Sequence, residues 1–187
     1  MKFFTKWHLG NSVCELIPKK IEDERGFFSE TYQKSSFEEI GIIDSFIQEN
    51  HSFSKNIYTF RGLHFQKPPF EQAKLVRVLK GNIIDIVVDI RVNSPTYLQH
   101  RLIDLSDKNF KQVYVPVGFA HGFLTLEENC EILYKVSNPY DYDSDVSISI
   151  FDSELDIELP CSKEQMTISE KDLDGSLINS LEKIFFK

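Results

Sequence analysis

This chain predicts a mostly β fold, a sandwich or barrel of short strands, and three observations lead to it. Sixteen Phe and seven Tyr stand against one Trp, and aromatic and β-branched residues suit a pleated, half-buried surface. Short apolar runs recur at close spacing, each bounded by Ser, Asp, Asn, Gly or Pro, the rhythm of a sandwich or barrel. Period-two alternation is clear over residues 84–92. There Ile84, Ile86, Val88, Ile90 and Val92 share one face, and Asp85, Val87, Asp89 and Arg91 share the other.

In chain order, Ser36-Phe37-Glu38-Glu39 fits a capping box with Gly41 as the stop, predicting one short helix. Residues 75–92 read as a hairpin, two β-rich runs joined at Lys80-Gly81-Asn82, where glycine supplies the positive φ of a tight turn. Further strands are expected at 98–105, 112–115, 122–126, 131–136 and 146–150. Near the C-terminus Leu177, Ile178, Leu181, Ile184 and Phe185 recur at helical spacing and predict a terminal amphipathic helix. The sequence contains no repeat, low-complexity tract or linker. One domain spanning residues 1–187 is expected, large enough to bury roughly 70% of its unfolded surface.

Composition narrows the function. Apolar residues make up 41% and charged residues 27%, ordinary for a globular protein, and the net charge is −8. General affinity for nucleic acid or an anionic membrane needs a basic footprint and is not expected. A small phosphate-bearing molecule fits if a few cations share a pocket. Cys14, Cys130 and Cys161 are odd in number with no Cys-x-x-Cys spacing, which suggests neither a disulfide framework nor a zinc site. The segment from Met1 to His8 does not resemble a signal peptide, and the apolar run 83–90 is far short of the roughly 20 residues of a membrane span. A soluble cytoplasmic protein is the expectation.

The chemistry concentrates in Arg61-Gly62-Leu63-His64-Phe65-Gln66, followed by Lys74 and, later, by Pro116-Val117-Gly118-Phe119-Ala120-His121-Gly122-Phe123. Histidine, with an ordinary pKa of about 6.5, is the side chain best matched to taking a proton at neutral pH. Arg61 and His64 differ by an odd number, so a regular strand points them to opposite faces; a bulge at Gly62 brings both toward one pocket. Lys74 shares a face with Val76 and Val78, as a snorkelling rim residue or as a ligand group. Tyr134 and Tyr140 flank Ser137-Asn138-Pro139, and each is either a packing residue or a source of a phenolic proton or a stacking face. Asp172, in Ser169-Glu170-Lys171-Asp172, also fits an ordinary capped turn. Taken singly, each histidine has a structural explanation. His64 is followed by Phe65 and Gln66, so the His-x-His of a metal-binding small barrel is missing and no metal is expected.

Laid side by side, these residues resemble the dTDP-4-dehydrorhamnose 3,5-epimerase family, cupin-type enzymes of deoxysugar nucleotide synthesis. The likeness runs through Asp23-x-Arg25-Gly26-x-Phe28 and Glu30, Gln48-Glu49-Asn50-His51-Ser52, Arg61-Gly62-x-His64-x-Gln66 and Gln72-x-Lys74-Leu75-Val76. It continues through Asp89-x-Arg91, Ser94-Pro95-Thr96, the His121 segment, Tyr134-Lys135 and Ser169-x-Lys171-Asp172. The resemblance implies a cupin-type double-stranded β-helix, or jelly-roll barrel, with a few short helices, dimeric, free of metal and cofactor, with one substrate pocket per barrel. It implies His64 as proton acceptor supported by Asp172, Tyr134 as proton donor, and Lys74 as the electrophile at a developing enolate. It further implies that Arg25, Glu30, Gln48, Glu49, Asn50, Arg61, His121, Asp145 and Lys171 line the site of a dTDP-4-keto-6-deoxyhexose and that Tyr140 stacks on the thymine. The reaction implied is epimerisation at C3 and C5. The rivals are a 3-epimerase with the same base, a non-catalytic nucleotide-sugar-binding cupin and a metal-dependent cupin oxygenase. Two departures are Leu159-Pro160, where a tryptophan-proline pair is expected, and Pro139 directly before Tyr140.

Overall fold

The computed structural model describes residues 3–181. Its strands are β1 (Phe3–His8), β2 (Val13–Pro18), β3 (Ile21–Asp23), β4 (Gly26–Phe28), β5 (Gln48–Ser54), β6 (Thr59–Gln66), β7 (Lys74–Lys80), β8 (Asn82–Asp89), β9 (His100–Ser106), β10 (Gln112–Val115), β11 (Phe119–Thr125), β12 (Cys130–Val136), β13 (Asp145–Ser147) and β14 (Thr167–Ile168). Two short helices, α1 (Lys34–Glu38) and α2 (Glu170–Leu173), join them. One sheet has the order β1-β2-β10-β7-β12-β5 and the other β13-β6-β11-β8-β9. From β5 to β12 the chain crosses repeatedly between sheets, setting β5-β12-β7-β10 against β6-β11-β8-β9, the double Greek key of a jelly roll. No helix among the described residues is long and apolar enough to cross a membrane.

Three apolar layers hold the sheets. Between them, Val76 and Val78 of β7 and Val113 and Val115 of β10 meet Ile83 and Val87 of β8 and Phe119 and Phe123 of β11. Outside the second sheet, Ile148, Ile150, Leu155 and Ile178 cover Ile86, Val88, Ala120 and Leu124. Outside the first, Phe37 and Ile42 cover Cys14, Leu16, Leu75 and Tyr114. Each Val, Leu, Ile or Phe among them contributes about 1.5–3 kcal/mol when fully buried. Strands covered on both faces must be apolar on both, which explains the near-continuous run of β8.

The five later strands appear near their expected places, the last ending early at Ser147. The hairpin over 75–92 does not. Its two runs are β7 and β8, but β7 pairs with β10 and β12 while β8 pairs with β9 and β11. The turn at Gly81 is real, with φ +88°, yet it carries the chain from one sheet to the other. The short helix also begins earlier than the capping box predicts. Gln33 is its N-cap, with no side-chain cap, and Ser36 lies inside it, donating its hydroxyl to Gln33 Oε1 at 2.7 Å. Gly41, at φ +91°, does end the segment. Of the predicted C-terminal helix, Ile184 and Phe185 lie outside the described residues, and Ile178–Ser180 form one 3₁₀ turn.

A methyl group at Gly81 would sit 2.6 Å from Cys130 Sγ. Gly81→Ala is therefore expected to cost about 2–4 kcal/mol, from steric overlap plus the positive φ. In a Cys130→Ala background the same change should cost only about 1–2 kcal/mol. Urea unfolding of the four proteins measures this, and equal losses in both backgrounds would contradict the close approach.

Candidate functional site

The interior between the sheets opens into a cavity of about 510 Å³. Arg61 and His64 enter it from β6, His121 from β11, Lys74 from β7 and Tyr134 from β12, while Lys171 and Asp172 come from α2. Arg61 and His64 share it because β6 bulges as its glycine suggests. Arg61 pairs with Phe123 and His64 with His121, so three steps on β6 match two on β11. Gly62 has φ +132°, and a Cβ there would lie 2.5 Å from Gly122 Cα. No other residue fits.

The bulge also turns the Gly62 N–H toward Asp172 Oδ2, at 3.2 Å. Asp172 is buried on α2, where its own N–H is capped by Ser169 Oγ, and its Oδ1 lies 2.6 Å from His64 Nε2. Burial alone would raise the Asp172 pKa, but the His64 hydrogen bond and charge, the Gly62 N–H and Ser169 together hold it below the ordinary carboxylate value. An ionised carboxylate only accepts hydrogen bonds, so His64 Nε2 donates to Asp172 Oδ1. Asp172 thus fixes the orientation of the His64 ring.

Tyr134 lines the same cavity as His64 from the other sheet. Burial pushes its hydroxyl pKa up, Arg61 and a hydrogen bond with Asn50 pull it back, and Asp145 adds to the rise. The net effect keeps the phenol protonated. Lys74 is 8% exposed and donates to His64 O at 3.2 Å. Burial lowers its pKa to about 8, against the charges of Asp145 and Asp85.

A neighbouring cleft of about 320 Å³ shares His64, Lys74, Tyr134 and Lys171 with the cavity and adds Gln48, Asn50, Gln66, Gln72, Tyr140 and Asp145. Gln48 Nε2 donates to Asn50 Oδ1 at 2.8 Å, and Tyr140 donates its hydroxyl to Asp145 Oδ2 at 3.1 Å. Lys171 pairs with Asp145.

Three expected site residues are not brought here. Arg25 sits in the exposed turn of the β3–β4 hairpin, paired with Asp23, and Glu30 is exposed just beyond that hairpin. Glu49 alternates with Gln48 and Asn50 on β5, so it points out of the barrel and pairs with Lys135. Sequence reasoning also missed Asp85, which is fully buried and lies 2.7 Å from His121 Nε2 through Oδ2. A carboxylate inside the most apolar run of the chain was its signal. Asp89 in the same run is structural, accepting from Arg91, Ser94 and Thr96. Among the described residues, no three His, Cys, Asp or Glu side chains are grouped to hold a metal ion.

The family model described as dTDP-4-dehydrorhamnose 3,5-epimerase matches residues 11–180. The chain belongs to the dTDP-4-dehydrorhamnose 3,5-epimerase family. It is 46% identical over 168 residues to the epimerase of that name from Salmonella typhimurium, covering 89% of this chain and 91% of the relative. The epimerase from Legionella pneumophila, crystallised in complex with dTDP-4-keto-L-rhamnose, superposes with a TM-score of 0.93 at 36% identity, over 99% of each chain. The Bacillus anthracis epimerase, with TDP and PPi bound, gives a TM-score of 0.90 at 40% identity, over 94% of this chain and 99% of that one. The jelly roll is therefore the cupin-type barrel of this epimerase family.

Because the Asp172 pKa is lowered in the folded protein, its contribution to stability is full above the unfolded value near pH 4 and is lost as pH falls through the folded value. Asp172→Asn should cost about 1–3 kcal/mol at pH 7. The gap between variant and parent should close as pH drops from about 4 toward 2, as measured by urea unfolding across that range. A gap independent of pH would argue against the lowered pKa.

Proposed function

We propose that the chain is an isomerase that converts dTDP-4-dehydro-6-deoxy-D-glucose to dTDP-4-dehydro-L-rhamnose by epimerising C3 and C5. The observation that carries this reading is that His64 and Tyr134 enter one cavity from opposite sheets, with Lys74 in the same cavity. A base and an acid on opposite sides of a ring are what inversion requires.

The 4-keto group acidifies the hydrogens on C3 and C5. His64 removes one, and the C–H electron pair moves through the α-carbon onto O4, where the Lys74 ammonium stabilises the enolate. Collapse of the enolate takes a proton from Tyr134 on the opposite face. The centre is inverted, with one proton on His64 and a phenolate at Tyr134, and exchange with solvent restores both. The sequence then repeats at the second carbon. Each cycle is redox-neutral, so it balances on protein groups alone. General base catalysis supplies roughly 10²–10⁴ in rate and a donor aimed at the oxyanion roughly 10²–10³.

In this reading Tyr140 stacks on the thymine, Arg61 and Lys171 meet the diphosphate, and Gln48, Asn50, His121 and Asp145 contact the remaining groups. Residues 1–187 act as one catalytic domain. The protein works as a homodimer, in which the exposed β3–β4 hairpin, with Phe27 55% and Phe28 69% exposed, packs on the other protomer and carries Arg25 and Glu30 to its cleft. Free Cys14, Cys130 and Cys161 suit the reducing cytoplasm.

Incubation with the 4-keto substrate in D₂O, read by NMR of the sugar, tests the reaction. Deuterium should enter at both C3 and C5; entry at C3 alone would make the protein a 3-epimerase. His64→Ala should abolish exchange, and full exchange in that variant removes the proposed base. Tyr134→Phe should keep partial exchange and lose product. The Lys74 ammonium is lost as pH rises through about 8, so kcat/KM should fall on that alkaline limb. A profile flat to pH 10 would contradict the role of Lys74.

A further inference from the structure

We propose that Gln66 is a positioning residue for nucleotide recognition, holding the loop that carries Tyr140 against the end of β6. The proposal rests on the reading of Tyr140 as the base-stacking ring. Gln66 closes β6, is 4% exposed, and lies two residues beyond His64 on the same strand face. Its carboxamide is used three times. Nε2 donates to Phe70 O at 2.5 Å and to Pro139 O at 3.1 Å, and Oε1 accepts the Asp141 N–H at 2.8 Å. With two carbonyls on one side and an N–H on the other, only one orientation of the amide satisfies every partner.

Two of the three bonds fall on the residues directly before and after Tyr140. The stretch between β12 and β13 lies outside the sheet ladders, and Pro139 has no N–H to offer. Asn138 O is taken by Gln72 Nε2 at 2.7 Å, and Asp141 Oδ1 accepts the Ser144 N–H at 2.9 Å. At residues 139 and 141 themselves the anchor is Gln66. Tyr140 is 56% exposed, so its ring is held by this clamped backbone and by its hydroxyl's bond to Asp145 Oδ2 rather than by packing. A glutamine suits the task because it offers donors and an acceptor without a charge beside Asp145 and Lys171.

Gln66→Met keeps the length and removes all three bonds. It should weaken binding of dTDP about tenfold and raise KM for the nucleotide sugar alike, with kcat within about twofold. Affinity for inorganic pyrophosphate should not change. Gln66→Glu, which retains the acceptor for Asp141 N–H, should fall between parent and Met variant. It carries the same test if the Met variant does not fold. Tyr140→Ala should weaken dTDP binding by itself, and adding Gln66→Met should weaken it no further. Unchanged dTDP affinity in a folded Gln66 variant would overturn the proposal, as would additive losses in the double variant or a fall in kcat with dTDP affinity intact. If Tyr140→Ala binds dTDP as the parent does, the stacking assignment fails and the proposal goes with it. If Tyr140→Ala weakens binding and Gln66→Met does not, only the role of Gln66 is lost.

Discussion

The site depends on the contact of two backbones, Gly62 against Gly122. Without a side chain at residue 62, β6 takes one extra residue there against β11. That residue changes the parity of the strand, so an arginine and a histidine three apart reach the same cavity. It also frees the Gly62 N–H from the sheet ladder and turns it onto Asp172. A single irregularity thus brings a guanidinium and an oriented imidazole to one cavity. A regular β6 would keep the fold and separate them.

How far this was legible in the chain follows from how local each feature is. The alternation of β8 and the ends of β10 were readable because each is set by neighbours within a few residues. The bulge was readable because a glycine inside a strand marks it, although its contact, Gly122, is distant in the chain. The partner of β7 was not. A glycine at positive φ between two β-rich runs looks the same whether the runs pair or part to opposite sheets, and the answer lies in distant partners, β10 and β12 for β7 and β9 and β11 for β8. Glu49 fell to the opposite error. Its motif placed it among ligand residues, but period two on β5 sends it outward between two that point in. Arg25 and Glu30 stand on or beside an exposed hairpin that this barrel does not bring to the cleft, and a short motif says nothing of where such a hairpin lies.

The outer layers explain why the cavity can hold so many charges. Packing outside both sheets supplies apolar burial that the interior surrenders to His64, His121, Lys74, Asp85 and Arg61. In a sandwich covered on one face only, those groups would replace the whole core. Here they replace one end of one layer out of three. The chain is acidic at −8, yet Arg61, Lys74 and Lys171 converge on the cavity. The overall charge disfavours polyanions while the pocket remains able to receive a small diphosphate.

Asp85 shows what this arrangement costs and what offsets the cost. Its Oδ2 meets His121, but Oδ1 is buried without a hydrogen-bond partner among the described residues. A half-satisfied buried carboxylate opposes folding, and apolar replacement of such groups is often neutral or stabilising. Its compensation is electrostatic. Burial lowers the Lys74 pKa to about 8, and the charges of Asp145 and Asp85 resist that fall. Lys74 stays an ammonium because two carboxylates stand near it, and it stays poised near pH 8 because neither is hydrogen-bonded to it. A direct ion pair would hold the charge more firmly and would take up a second of the three ammonium donors, one of which already goes to His64 O.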